Sequence, residues 1–451
     1  MNTGATALKS LAVSASPQAV GAGSPATVST EGGAGVYNFV SDGTNFTFNA
    51  GTVSANQFVN GGLTFTSNSG NITLGAANLG ATGGLSVTAR NGSILGGAAL
   101  DGGGAINLSA GQAVAGTAVA VTVGDIGLLN RPSSLTIGAG SSPSINRVGT
   151  VTTGNIEAGG LSVTTANGNM TLGNVGAVTR AGAVTLTANP IGSAHGAVQT
   201  GNITAASVTI ADELNNITTG NLDTTGAVAI TSRKTVTLGN VNAASLSVAT
   251  APCAICDQPL ITTGAISGVQ NLSLFGEAVT INGSVNGDPA GTGTLIIRAG
   301  DAFFGGTGIL NITGGSVTAG DGSTIDLTAF SATPFKFTTL NAGATGTVNV
   351  NARGGIQQIA AGGITAKSVS LTATDAAAPI NQVGGDGRRQ RLGAWRPGCQ
   401  LPWRNQNRHR QPVYCFHYQY RCHGGHRLGC RRAYRQYRHR QSAGGRGSPF
   451  V

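Results

Sequence analysis

Residues Leu161–Val175 read LSVTTANGNMTLGNV, and their pattern decides the fold. Leu161 and Val163 alternate with Ser162 and Thr164, the period of two that sends apolar side chains to one face of a strand and small polar ones to the other. Ala166, Asn167 and Gly168 break the strand with residues that tolerate tight or left-handed backbone. A second alternating run, Asn169–Gly173, follows at once, and then the short Gly173-Asn174-Val175. Three short strands joined by Gly and Asn corners describe one rung of a β-helix.

The same pattern recurs along the chain. Runs of the type LSVTA begin at Leu63, Leu85, Ile106, Leu135, Leu161, Val184, Val208, Val228, Leu246, Leu272, Leu295, Ile325, Val348 and Val369. These 14 strands leave 13 intervals over 306 residues, a mean of 23.5, with individual intervals from 18 to 30. Such spread fits stacked coils with variable loops rather than a rigid repeat. The second element recurs at Asn71 and Thr235, and the third at Gly239. Asn-Gly pairs such as Asn91-Gly92 and Asn282-Gly283 would suit hairpins, so an antiparallel sandwich is the minor alternative. The expectation is an all-β, right-handed parallel β-helix of about 14 or more rungs over residues 36–385. A loose leader precedes it at 1–35 and a non-repetitive basic tail follows at 386–451. Tyr37, Phe39, Phe46, Phe48 and Phe58 mark one or two further coils near the start.

Composition agrees. Gly occurs 73 times, charged residues make up 9% and aromatics 5%, against about 25% charged residues in an ordinary globular domain. The wealth of Val, Ile and Thr suits a pleated surface and argues against disorder. The formal charge of +10 belongs to the tail. Residues 1–385 hold 11 Lys and Arg against 15 Asp and Glu, whereas the stretch from Asp386 holds 15 Arg and one acidic residue. The opening MNTGATALKSLAVSASPQAV does not read as a signal peptide, and the absence of an 18-residue apolar run predicts no membrane-spanning helix.

The tail invites three readings. Arg interleaved with Tyr, Trp and His resembles a nucleic-acid arm. Cys415, Cys422, His423, His426 and Cys430 could hold zinc, though their spacing fits no common zinc pattern. A shift of reading frame accounts for more. Arg codons of the CGN type shifted by one base become GNN, and RQYRHRQ at 435–441 then yields GNIDTGN, close to Gly201–Thr204 and Thr218–Asn221. On that reading the tail is disordered, and neither nucleic acid nor metal is a partner.

No catalytic constellation stands out. Glu157, Asp212, Glu213, Asp223, Glu277, Asp288, Asp301, Asp321 and Asp326 scatter among corners as solvated loop residues, although two carboxylates could meet across adjacent rungs, Asp321 with Asp326 being one candidate pair. His195 has no obvious partner. Cys253-Ala-Ile-Cys256, between Pro252 and Pro259, lacks the βαβ context of a redox motif. A small loop disulfide between Cys253 and Cys256 is expected, which suits an oxidising compartment. Asn-x-Ser/Thr triplets at Asn71, Asn169, Asn202 and Asn271 are by-products of corner followed by strand. Single GDG triplets at 320–322 and 385–387 fall short of a tandem calcium repeat. A threonine ladder fit for ice is not expected, because the variable intervals should spoil it.

The coils at Leu161–Val175 and Val228–Val248 resemble the repeats of filamentous haemagglutinin-like exoproteins of two-partner secretion systems and of autotransporter passengers. The resemblance covers about residues 40–380 and implies a secreted or surface-held adhesin rod that binds host-cell or matrix glycans and proteins, or other bacterial surfaces. It implies no enzymatic activity and no cofactor. With no signal peptide or secretion domain recognised in it, the chain reads as an internal segment of a longer exoprotein. Specificity is expected in the longest intervals, Gly111–Arg131 and Gly300–Gly320, with the Cys253 loop third. A polysaccharide-degrading β-helix enzyme and a pure spacer are the alternatives.

Overall fold

The computed structural model describes residues 10–15, 36–41, 46–48, 62–67, 71–75, 77–79, 81–111, 118–140, 148–189, 196–212, 215–250, 259–300, 308–375, 378–381 and 390–392. The strand pairings among them are parallel and join one rung to the next. The chain is an all-β parallel solenoid of about 12 full turns.

Its first face holds all fourteen strands expected from the alternation, from Gly62–Ser67 to Ser368–Ala373. The register is unbroken: Leu135, Leu161, Val184, Val208, Val228, Leu246, Leu272 and Leu295 stack as successive Cα partners. The ladder continues at both ends. Ser10–Ala15, within the expected leader, pairs with Val36–Ser41, and Gln390–Leu392, within the expected tail, pairs with Val369–Leu371.

A second face runs from Phe46–Phe48 through Val119–Thr122 to Leu310–Ile312. The third is narrower. It passes through the single bridges Leu100, Ile126, Ile156, Val175 and Ile203, and then through Leu222, Val241, Ile266 and Val285. From Leu85 to Leu371 the rungs send two or three apolar side chains inward from the first face, and one or two from the others. In one rung Val184 and Leu186, Val198 and Ile203 are all at most 1% exposed. Aliphatic burial of this kind contributes about 1.5–3 kcal/mol per side chain, and a single rung cannot achieve it without neighbours above and below.

The spread of intervals has a definite location. From Thr122 to Ser316, the connection from second to third face always takes two or three residues. The connection from first to second face varies from none, within the continuous strand Leu161–Leu172, to ten at 300–309. The connection from third to first face takes as many as seven, at 127–133. Extra residues leave the coil at two corners and the third stays constant, so the ladders keep register while the sequence interval drifts.

Candidate functional site

The constant corner carries a ladder of side-chain bonds. The Asn155 amide donates to Asp125 Oδ1 at 2.6 Å, and the Asn174 amide to Asn155 Oδ1 at 3.0 Å. The series continues with Asn202 on Asn174 at 2.9 Å, Asn221 on Asn202 at 2.8 Å, Asn240 on Asn221 at 2.8 Å, and Ala265 on Asn240 at 2.9 Å. Each Asn precedes an inward aliphatic residue and follows a glycine. The glycine is needed because a Cβ at Gly154, Gly201, Gly220, Gly239 or Gly264 would collide with the carboxylate or amide oxygen of the rung beneath. The preceding threonines Thr153, Thr200, Thr219 and Thr263 turn inward and satisfy their hydroxyls on the next carbonyl at 2.9–3.0 Å. This corner is structural: a net gain of about 1 kcal/mol per bond, repeated up the rod.

Carboxylates do similar duty elsewhere. Asp101 accepts the Leu129 amide at 2.8 Å, and Glu157 accepts those of Val178 and Thr179 at 2.8 and 3.1 Å. Both are buried, and each supports a loop that leaves the third-to-first corner through a left-handed glycine, Gly127 or Gly176. The loop tips expose Leu129 (77%) and Val178 (85%). An arginine closes each loop. Arg131 donates to the carbonyls of Ala158 and Arg180, and Arg180 to those of Ala205 and Asp223 and to the Asp223 carboxylate at 2.7 Å.

The two carboxylates singled out from sequence have separate partners. Asp321 accepts the Thr345 amide at 2.8 Å, and that bond holds its carboxyl below the ordinary value. Asp326 lies on the first face, 3.8 Å from the Arg298 guanidinium. Asn71, Asn169, Asn202 and Asn271 of the Asn-x-Ser/Thr triplets each accept a backbone amide from the next rung, at 2.8–3.2 Å. Cys253, Cys256, His195, Glu213 and Asp301 lie outside the described residues. So do Cys415, Cys422, His423, His426 and Cys430, and residues 112–117, 251–258 and 301–307 of the three intervals expected to carry specificity; the rest of Gly111–Arg131 and Gly300–Gly320 includes the second-face strands Val119–Thr122 and Leu310–Ile312.

The outer faces are in register, so the variable intervals are not what spoils a strict threonine ladder. Thr136, Ser162, Thr185 and Thr209 are successive partners on the first face. On the second, Thr122, Thr152, Thr171, Gln199, Thr218, Thr237, Thr262 and Thr280 form one column. The interval does not set the stacking because the extra residues sit at corners. What interrupts the columns is composition: Ala229 on the first face and Gln199 on the second. Sequence reasoning also missed a cluster on the first face, where the Arg298 guanidinium carbon lies over the Phe275 ring, 5.3 Å from its centroid. Only the register brings those residues together, since Phe275 and Arg298 are Cα partners from adjacent rungs.

Fold and surface together define a class: a parallel β-solenoid repeat protein whose outer columns carry few charges. Comparison with known proteins adds no name to that class. No family model, no curated protein and no solved structure matches the chain. No helix among the described residues is long and apolar enough to cross a membrane.

Proposed function

We propose that this chain is a non-catalytic structural and adhesive segment of a secreted or surface-exposed bacterial exoprotein of the haemagglutinin-like type, exported by two-partner secretion or as an autotransporter passenger. The observation that carries the proposal is the unbroken first-face ladder, which makes a rod of about 60 Å at ~4.8 Å per rung. Among the described residues, the Asp101, Glu157 and Asp321 carboxylates hold backbone amides of loops and corners. Length and a repetitive surface are what multivalent attachment requires, because many weak contacts along one rod act together. Host-cell or matrix glycans and proteins, or other bacterial surfaces, are the proposed partners. The resemblance of Leu161–Val175 and Val228–Val248 to haemagglutinin-like repeats supports the same assignment.

The test is a binding assay of the full chain on a glycan array and on immobilised matrix proteins, with a globular protein of equal mass as control. Saturable binding that strengthens when the chain is displayed at high density is the expected result. Binding no greater than the control on every surface overturns the adhesive part and leaves a spacer.

A further inference from the structure

We propose that the first face carries a binding site for a neutral oligosaccharide, built around Phe275 and the recess beside it; this rests on the adhesive reading and names the ligand class. Phe275 belongs to the strand Asn271–Gly276, in which Leu272 and Leu274 are buried and Phe275 shares the outward parity of Ser273. Its neighbours in the outward column are Ala249 in the preceding rung and Arg298 in the following one. Arg298 covers one side of the ring. In the opposite direction along the column the partner of Phe275 is Ala249, a short side chain, and the next residue is Thr231. Ring and Thr231 are thus two rungs apart, about 9–10 Å, with Ala249 as the floor between them.

That recess has the parts a sugar ring needs. An aromatic face with its negative quadrupole attracts the weakly positive C–H groups on the apolar side of a hexopyranose with equatorial hydroxyls. The guanidinium stacked behind the ring holds it in place. Ser247 and Ser273 occupy the adjacent outward column in the same two rungs, and Thr231 and Ser247 are exposed. Their hydroxyls can donate to or accept from the sugar's hydroxyls at the rim. The charge pattern selects a neutral ligand. Between Gly62 and Ala373, the outward columns of the first-face strands carry no charged residues other than Arg298 and Asp326, and these two pair with each other. An anionic glycan finds no unmatched cation there. Phe275 is also the one aromatic residue in those outward columns, so the site is single and local rather than repeated along the rod.

The experiment is calorimetric titration of the full chain with cellohexaose and with chitohexaose, both neutral and β-1,4-linked, and with a heparin-derived hexasaccharide for contrast. Phe275→Ala removes the ring. Ala249→Gln fills the recess from a solvent-facing position without touching the core, so its folding is secure and circular dichroism checks both variants. The expected result is saturable binding of at least one neutral hexaose, weakened by about tenfold or more in each variant, as for an aromatic anchor. Heparin hexasaccharide should bind no better to the parent than to the variants. Neutral hexaose binding that both variants retain overturns the site, and so does a failure of both hexaoses to bind. In either case, attachment of the parent chain to other surfaces keeps the adhesive reading, and loss of all attachment removes both.

Discussion

The rungs from Asp125 to Ala265 and those from Ser284 onward stack in the same way but are secured differently. In the first region, the corner between second and third faces is tied by six consecutive side-chain-to-amide bonds, and among the described residues the core holds no aromatic side chain. In the second, the Asn ladder is gone. Ser284 and Ser316 share a hydroxyl contact of 2.8 Å at the corresponding corner. Two rings, Phe335 and Phe337, lie inside with centroids 6.1 Å apart and an interplanar angle of 17°, and the register shifts between Phe337 and Thr339. The contrast teaches that the backbone ladder is the invariant. Polar stitching at a corner and aromatic filling of the core are interchangeable means of holding rungs in line, so the repeat can drift in sequence without losing the fold.

The largest expected effect comes from the aromatic region. Phe337 is fully buried, and Phe337→Ala should cost about 3–5 kcal/mol through lost burial and a cavity. Because rungs couple mainly to nearest neighbours, the loss should be local. Hydrogen exchange should accelerate for amides of residues 335–365 and stay near parent values for 155–240. Equal acceleration in both regions would show that they form one cooperative unit and that the comparison has no energetic meaning.

The ladder region should break at its glycines. Gly220→Ala places a Cβ against Asn202 Oδ1 and against the backbone of Gly201 and Asn202, and overpacking of this kind costs about 1–3 kcal/mol. Gly97, at the same corner before the ladder begins, has open space around a Cβ, so Gly97→Ala should shift stability by no more than about 0.5 kcal/mol. Denaturant midpoints of the two variants measure the difference directly. A smaller effect should follow from the amide itself. Asn221→Ala removes the acceptor for the Asn240 amide, for about 1 kcal/mol. Asn311→Ala, at an exposed position past the ladder, should fall within about 0.5 kcal/mol of the parent. Equal costs at Asn221 and Asn311 would mean that the ladder is geometry without stability.

Much of this architecture was legible in the sequence, for a local reason. Leu85 and Val87, or Val208 and Ile210, reveal a half-buried strand within five residues, and the fourteen strands so marked are all in the first-face ladder. The Asn ladder was not seen, although the Gly-Asn steps at Gly173, Gly201 and Gly239 are plain in the chain. Its bonds join residues 19 to 30 apart, and uneven intervals hide that relation until the rungs are aligned. The Phe275 cluster was invisible for the same reason. Its members are ordinary outward residues until register places Ala249, Phe275 and Arg298 in one column. Asp321 and Asp326 suggested a pair because they are close in sequence, but a corner and a face separate their partners.

The finest distinction lies between single corner bonds, some accepted by a carboxamide and some by a carboxylate. Past the ladder, the acceptor for the Thr345 amide is the Asp321 carboxylate, and that bond lowers the Asp321 pKa below its ordinary 3.8. A folded-state pKa below the unfolded one means the native state holds the charged form more firmly. The bond then contributes its full stability above the unfolded value and loses it as the pH falls through the lower, folded value. Asp321 is solvent-exposed, so the effect on global stability should be slight and is best read locally. Protection of the Thr345 amide, after correction for intrinsic exchange, should be constant at neutral pH and decline once the medium is acid enough to protonate Asp321. The Asn221 and Asn240 amides are held by carboxamide oxygens, which do not ionise in that range, and should show no such decline. Asp321→Asn should make Thr345 behave as the ladder amides do, with a flat profile into acid. A parent Thr345 profile already as flat as that of Asn240 would remove any chemical difference between the two bonds.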